Sequence, residues 1–240
     1  MPPDPSKLIQ RIGVETPLIG FYDAPDVSRF EPLVRVGSGD SSCIFSFYAN
    51  WMNGETLLLT SESFGCRGAG SCLFGVATRS PEAMVTFLVD EEGLKSSREL
   101  MRRWIDRRGS YRREHPNLLI GPLRPDEYGY LKTVTFYVNP DQLAALLLGA
   151  NYNSGPDDPA PVVAPFGSGC SQLLPLIGDL TGPQAIVGAT DIAMRQWLPP
   201  DTLAFTVTKP MFEQLCELDE RSFLFKPFLQ RLHKARAAAR

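Results

Sequence analysis

A chain of 240 residues, 43% hydrophobic and 21% charged, can bury a sizeable core, and that ordinary balance excludes extended disorder. Its 24 basic and 27 acidic side chains leave a formal net charge of −3, so no global positive field recruits nucleic acid or an anionic membrane. The opening Met1-Pro2-Pro3-Asp4-Pro5 has no leader character, and nowhere do about 18 apolar residues run together, so a cytoplasmic protein without export signal or membrane span is expected.

Lys7 to Val14 reads as a short helix ended by Thr16-Pro17, because a proline biases the residue before it away from the α region. Leu18 to Tyr22 is a strand, Asp23 to Asp26 a turn, and Pro32 to Val36 a further extended stretch. Ser42 to Met52 suits a buried helix with Ser41 or Ser42 as N-cap, Asn53-Gly54 as its stop, and Phe45, Phe47, Tyr48 and Trp51 as core. Thr56 to Thr60 follows as a buried strand. Phe64 to Cys72 then packs three glycines and two cysteines into nine residues, a cluster that lets the backbone approach something closely.

Pro81 to Val89 and Ser97 to Arg108 carry apolar residues at helical spacing. In the second, Leu100, Met101, Trp104 and Ile105 form the apolar side and the arginines read as a solvated face. Thr133 to Val138 is a strand, and Pro140 opens the helix Asp141 to Leu148 behind an Asn139 cap. Asn153 to Gly169 is an irregular loop ending at Cys170. The strand Gln184 to Gly188, the segment Asp191 to Trp197, the strand Thr202 to Val207, a helix from Pro210 and a frayed basic helix from Arg231 complete the chain.

Two stretches echo each other. Ser42-Cys43, an apolar helix, Gly54, the strand Thr56 to Thr60 and Cys66-Arg67 line up with Gly169-Cys170, an apolar helix, Gly182, the strand Gln184 to Gly188 and Met194-Arg195. Phe74-Gly75-Val76 then Pro81 would match Phe205-Thr206-Val207 then Pro210. The expectation is an α+β fold of one domain over 1–240, with a mixed sheet, flanking helices and an internal repeat of 36–95 and 163–220. A pseudo-twofold between two similar halves would bring the loops of Cys43 and Cys170 together.

Five short motifs recur in order along almost the whole chain: Glu15-Thr16-Pro17-Leu18-Ile19-Gly20; Cys43 ahead of Gly54-Glu55-Thr56-Leu57-Leu58-Leu59; Gly65-Cys66-x-Gly68; Tyr137-Val138-Asn139-Pro140-Asp141-Gln142; and Gly167-Ser168-Gly169-Cys170. In these the chain resembles the domain-of-unknown-function 169 family, widespread in anaerobic bacteria and archaea. The resemblance implies a cytoplasmic protein with three recurring cysteine positions, here Cys43, Cys66 and Cys170, with Cys72 and Cys216 outside the pattern.

Five cysteines are too few for a disulfide scaffold, and the odd count leaves at least one free thiol. Soft thiolates match iron, and Cys43, Cys66 and Cys170 lie at loop-to-helix junctions flanked by Gly or Ser, where amides donate to sulfur. They read as ligands of a [4Fe-4S] cluster, leaving one iron for a small molecule, water or Cys72. An open iron suggests substrate binding; full ligation suggests electron transfer or sensing. Gly65, Gly68 and Gly169 would bring backbone to the bound group, and Arg67 and Arg195, equivalent in the echo, would neutralise a cluster or an anionic ligand.

Two other readings stay open: a metal-free small-molecule-binding module with structural cysteines, and a thiol-dependent enzyme using Cys66 beside Arg67. Zinc is not indicated, since His115 and His233 stand in no ligand pattern. Gly65 to Gly70 lacks the lysine and Ser/Thr of a phosphate loop, and no Ser-His-Asp arrangement can be made. A small molecule, a redox partner or a second copy of the chain are the partners expected.

Overall fold

The computed structural model describes residues 2–37, 42–65, 70–76, 80–166, 169–174 and 182–238. Helix α1 (Ser6–Ile12) ends at Gly13, whose φ of 75° is the left-handed stop that glycine adopts freely. Strands β1 (Ile19–Ala24) and β2 (Leu33–Val34) follow. The segment read as one buried helix is a 3-10 turn, Ile44–Phe47, that tightens onto the short α2 (Tyr48–Met52), with Cys43 at its N-cap. After β3 (Thr56–Leu59) come α3 (Gly70–Leu73), α4 (Pro81–Val85), which Ser80 caps and which continues as a π-helical stretch Thr86–Glu91, and α5 (Arg98–Arg108), capped by Ser97.

Strands β4 (Asn117–Pro122) and β5 (Leu131–Val138) then lead into α6 (Pro140–Ala150). Asn139 and Gln142 there satisfy each other's backbone amides in a capping box. The loop read from Asn153 carries one two-residue strand, β6 (Val162–Val163), before a 3-10 turn at Gly169–Leu173. Strand β7 (Ala185–Gly188), a 3-10 segment Ile192–Trp197, β8 (Leu203–Thr208), α7 (Lys209–Cys216) and α8 (Pro227–Ala238) close the chain.

The fold is α+β, built, among the described residues, on a mixed eight-stranded sheet of order β2-β3-β4-β1-β5-β8-β7-β6. Its pairings read alike from both edges: a two-residue strand parallel to its neighbour, then antiparallel pairs inward to β1 and β5. In that order the place of β8 is matched by β4. The expected strand at Phe74-Gly75-Val76 is instead a turn at the end of α3, with Gly75 at a φ of 66°. The first half carries α3, α4 and α5 between β3 and β4, an insertion that the echo did not allow for.

Side chains alternate across the sheet with the period of two that a pleated strand imposes. Tyr22, Leu58, Leu119, Phe136, Val138 and Phe205 join one buried cluster, which includes Leu8 of α1, Leu146 of α6 and Phe212 of α7. Phe21, Leu57, Leu59, Leu118, Ile120 and Tyr137 join a second, with Ile44, Trp51, Phe64, Leu173 and Cys170. Burying each such large apolar side chain contributes about 1.5–3 kcal/mol. One face is thus covered by regular helices and the other by the short cysteine-bearing segments. Among the described residues no helix is long and apolar enough to cross a membrane.

Candidate cysteine site

Cys43 is half-buried, and its carbonyl accepts from Ser46 N at 2.8 Å to start the 3-10 turn. The carbonyl just before it, on Ser42, accepts from Gly65 N at 2.7 Å. The chain entering Cys66 is therefore stitched to the chain entering Cys43, although the two cysteines are 23 positions apart.

Cys170, 5% exposed, lies in the 3-10 turn of the second half. A Cβ placed on Gly70 would stand 2.7 Å from Cys170 Sγ and 3.0 Å from the Phe64 ring, so only glycine leaves the sulfur its place. The turn is fastened to the sheet. Thr133 Oγ1 donates to Leu173 O at 2.7 Å, Gln172 Nε2 to Thr190 Oγ1 at 3.1 Å, and Ala189 N donates to Gln172 Oε1. Ala189 holds a left-handed φ of 62°, a costly conformation for a residue with a Cβ, and it is held at the turn's edge by that bond.

Helix α5 walls the site. Trp104 Nε1 donates to Phe166 O at 3.1 Å, and their rings meet edge to face at 5.1 Å. Four residues on, Arg108 Nη2 leans on Ser171 O at 3.4 Å. Successive turns of one helix face thus hold Phe166 and Ser171. Arg108 is 6% exposed, its Nε and Nη1 have no hydrogen-bond partner among the described residues, and its guanidinium lies 5.4 Å over the Trp104 ring. Burial pushes its pKa down, and the nearby Cys170 sulfur opposes that.

Of the residues marked from sequence, Cys43 and Cys170 share one apolar cluster, with Gly65 bonded beside the first and Gly169 opening the turn of the second. Cys66, Arg67 and Gly68 lie outside the described residues. Cys72 packs with Leu73, Met84, Trp104 and Ile105, a separate cluster. Among the described residues no three His, Cys, Asp or Glu side chains are grouped as a metal ion would need.

Arg195 is spent on bracing: Nη1 donates to Ala189 O and Thr202 O, Nη2 to Pro199 O and Pro200 O. The basic face of α5 requires correction, because Arg108 is interior. Its place was legible from spacing, since it follows Met101 by seven and Trp104 by four on the apolar stripe.

Residues 7–218 match the family model described as uncharacterised ArCR, the domain-of-unknown-function 169 family. The chain belongs to this family. The domain-of-unknown-function 169 match spans α1 through α7 and includes all five cysteines and Arg108, leaving α8 beyond its end. No curated protein and no solved structure matches the chain.

Proposed function

We propose that this protein holds a [4Fe-4S] cluster on Cys43, Cys66 and Cys170, and acts in the cytoplasm in redox transfer or in binding a small molecule at the iron those three leave open. The observation that carries the reading is convergence. The backbone before Cys66 bonds to the backbone before Cys43, and Cys170 Sγ packs against Gly70, four residues after Cys66. Thiolates are the donors that such a cluster requires, and surrounding amides and cations tune it. Bound there, the cluster would supply electron transfer or Lewis-acid polarisation of a ligand. The chain's own part is to hold three sulfurs, exclude water with Phe64, Leu173 and Trp51, and present Arg108.

Anaerobic purification followed by iron and acid-labile sulfide analysis tests this. The expected result is a brown protein with about four of each per chain, the content of such a cluster. Cys43→Ser, Cys66→Ser and Cys170→Ser should each lose most of the iron, while Cys216→Ser, on the opposite face of the sheet, keeps it. A colourless chain that takes up no iron on reconstitution would overturn the proposal. It would favour the second reading, a metal-free ligand-binding module, which the burial of Cys170 among apolar side chains supports.

A further inference from the structure

A buried guanidinium with donors left over is out of electrostatic balance. Taking an ion out of water is costly even after the protein relaxes, and an opposite charge with good geometry is what normally offsets it. Arg108 is 6% exposed, yet among the described residues no carboxylate pairs with it. Among the described residues its hydrogen bond is the long 3.4 Å contact to Ser171 O. The donors on Nε and Nη1 have no hydrogen-bond partner among the described residues. Trp104 beneath it supplies a ring face but no negative charge, and the indole N–H is already given to Phe166 O.

The side chain is also aimed. Its bonded oxygen belongs to the residue next to Cys170, and Cys170 Sγ sits against Gly70 on the segment that leads from Cys66 to Cys72. Its neighbour Trp104 packs with Leu73 and Cys72 at the end of that segment. Arg108 therefore faces the turn that carries Cys170 rather than solvent.

We infer that the space beside Arg108 and Cys170 is an anion site, taking a compact group of net negative charge that accepts hydrogen bonds from Nε and Nη1. On the function proposed above, the occupant is the thiolate-ligated cluster, whose sulfur atoms accept such bonds. A free carboxylate or phosphate offers the same chemistry. Without an occupant the charge of Arg108 destabilises the fold, and with one it is the group that couples binding to stability.

The test compares thermal unfolding of the full-length wild type with Arg108→Met and Arg108→Lys, each free of iron, then reconstituted anaerobically with iron and sulfide, or titrated with acetate or inorganic phosphate. Ligand binding to the native state raises Tm by mass action. The iron-free Arg108→Met chain should melt above wild type, since an unpaired buried charge has been exchanged for an apolar chain of similar length.

Reconstitution should raise the Tm of wild type and Arg108→Lys by more than that of Arg108→Met, and should give Arg108→Met a reduction potential more negative than wild type. A wild-type shift with acetate or phosphate, absent from Arg108→Met, supports the site with a free anion as its source, even where iron uptake has failed and the cluster reading has fallen. Equal responses of wild type and Arg108→Met to every probe would overturn the inference, iron bound or not. So would an Arg108→Met chain that fails to fold while Arg108→Lys folds, because the charge would then already be paired within the chain.

Discussion

Asp23 has no exposed surface, and its carboxylate accepts from Tyr111 Oη at 2.8 Å, Glu114 N at 2.7 Å and His115 N at 2.8 Å. One side chain on β1 thus fixes the segment that leaves α5 and enters β4. Asp23→Ala would strand two amides and a phenol, at about 1–3 kcal/mol for each group left buried and unpaired. Denaturant unfolding should show a loss of about 3 kcal/mol or more; an unchanged midpoint would mean that the loop is held by something else. Cys216 gives a pH-dependent counterpart. Burial, aided by Asp4, Glu213 and Glu217, pushes its thiol up to about 12. The native state then holds that proton more tightly than the unfolded chain. The stabilising contribution is present below the ordinary thiol range near pH 9 and is lost as pH rises toward 12. Alkylation at pH 8 should leave native Cys216 unmodified while the unfolded chain reacts. Sequence spacing gave no reason to separate Asp23 from a turn aspartate, because its partners lie about 90 positions away.

At the scale of elements, the Asn139 cap was legible and the one expected at Ser41 or Ser42 falls on Cys43 instead; Asn139, Ser80 and Ser97 each accept the amide three residues on. Strand β4 was not legible. Its run Asn-Leu-Leu-Ile-Gly-Pro is short, has only one β-branched residue and lies between prolines, and it is a strand because β1 and β3 pair with it on both sides. Helix α3 depends on a small residue rather than on propensity. Gly70→Ala should lower stability by about 1–3 kcal/mol through overpacking against Cys170 and Phe64, and should reduce iron per chain. Gly129→Ala, whose added methyl meets nothing, serves as control and should retain both. A Gly70→Ala protein as stable and as iron-rich as the control would remove the contact from the account.

At the scale of the molecule, the sheet runs unbroken through the β1–β5 pairing, with Cys43 and Cys66 ahead of that junction and Cys170 after it. Severing the chain at the turn Pro125–Tyr130 would give each fragment a central strand as an open edge. Neither fragment alone should show a cooperative melt or bind iron. A cooperative transition from either one would show that the halves are separate units. The α+β class was foreseeable from the alternation of strand and helix patterns along the chain, and the structure packs Cys43 and Cys170 into one apolar cluster. The wall built by α5 was not foreseeable, because that helix belongs to the insertion in the first half alone.

Convergence of the three thiols is tested by thiol bridging in the reduced, metal-free native chain. A trivalent arsenical that requires two or three neighbouring sulfurs is added, and the bridged cysteines are identified by mass spectrometry. Adducts joining Cys66 to Cys43 and to Cys170, with Cys216 excluded, are the predicted result. Cys66 left unbridged while each thiol is alkylated separately would contradict it.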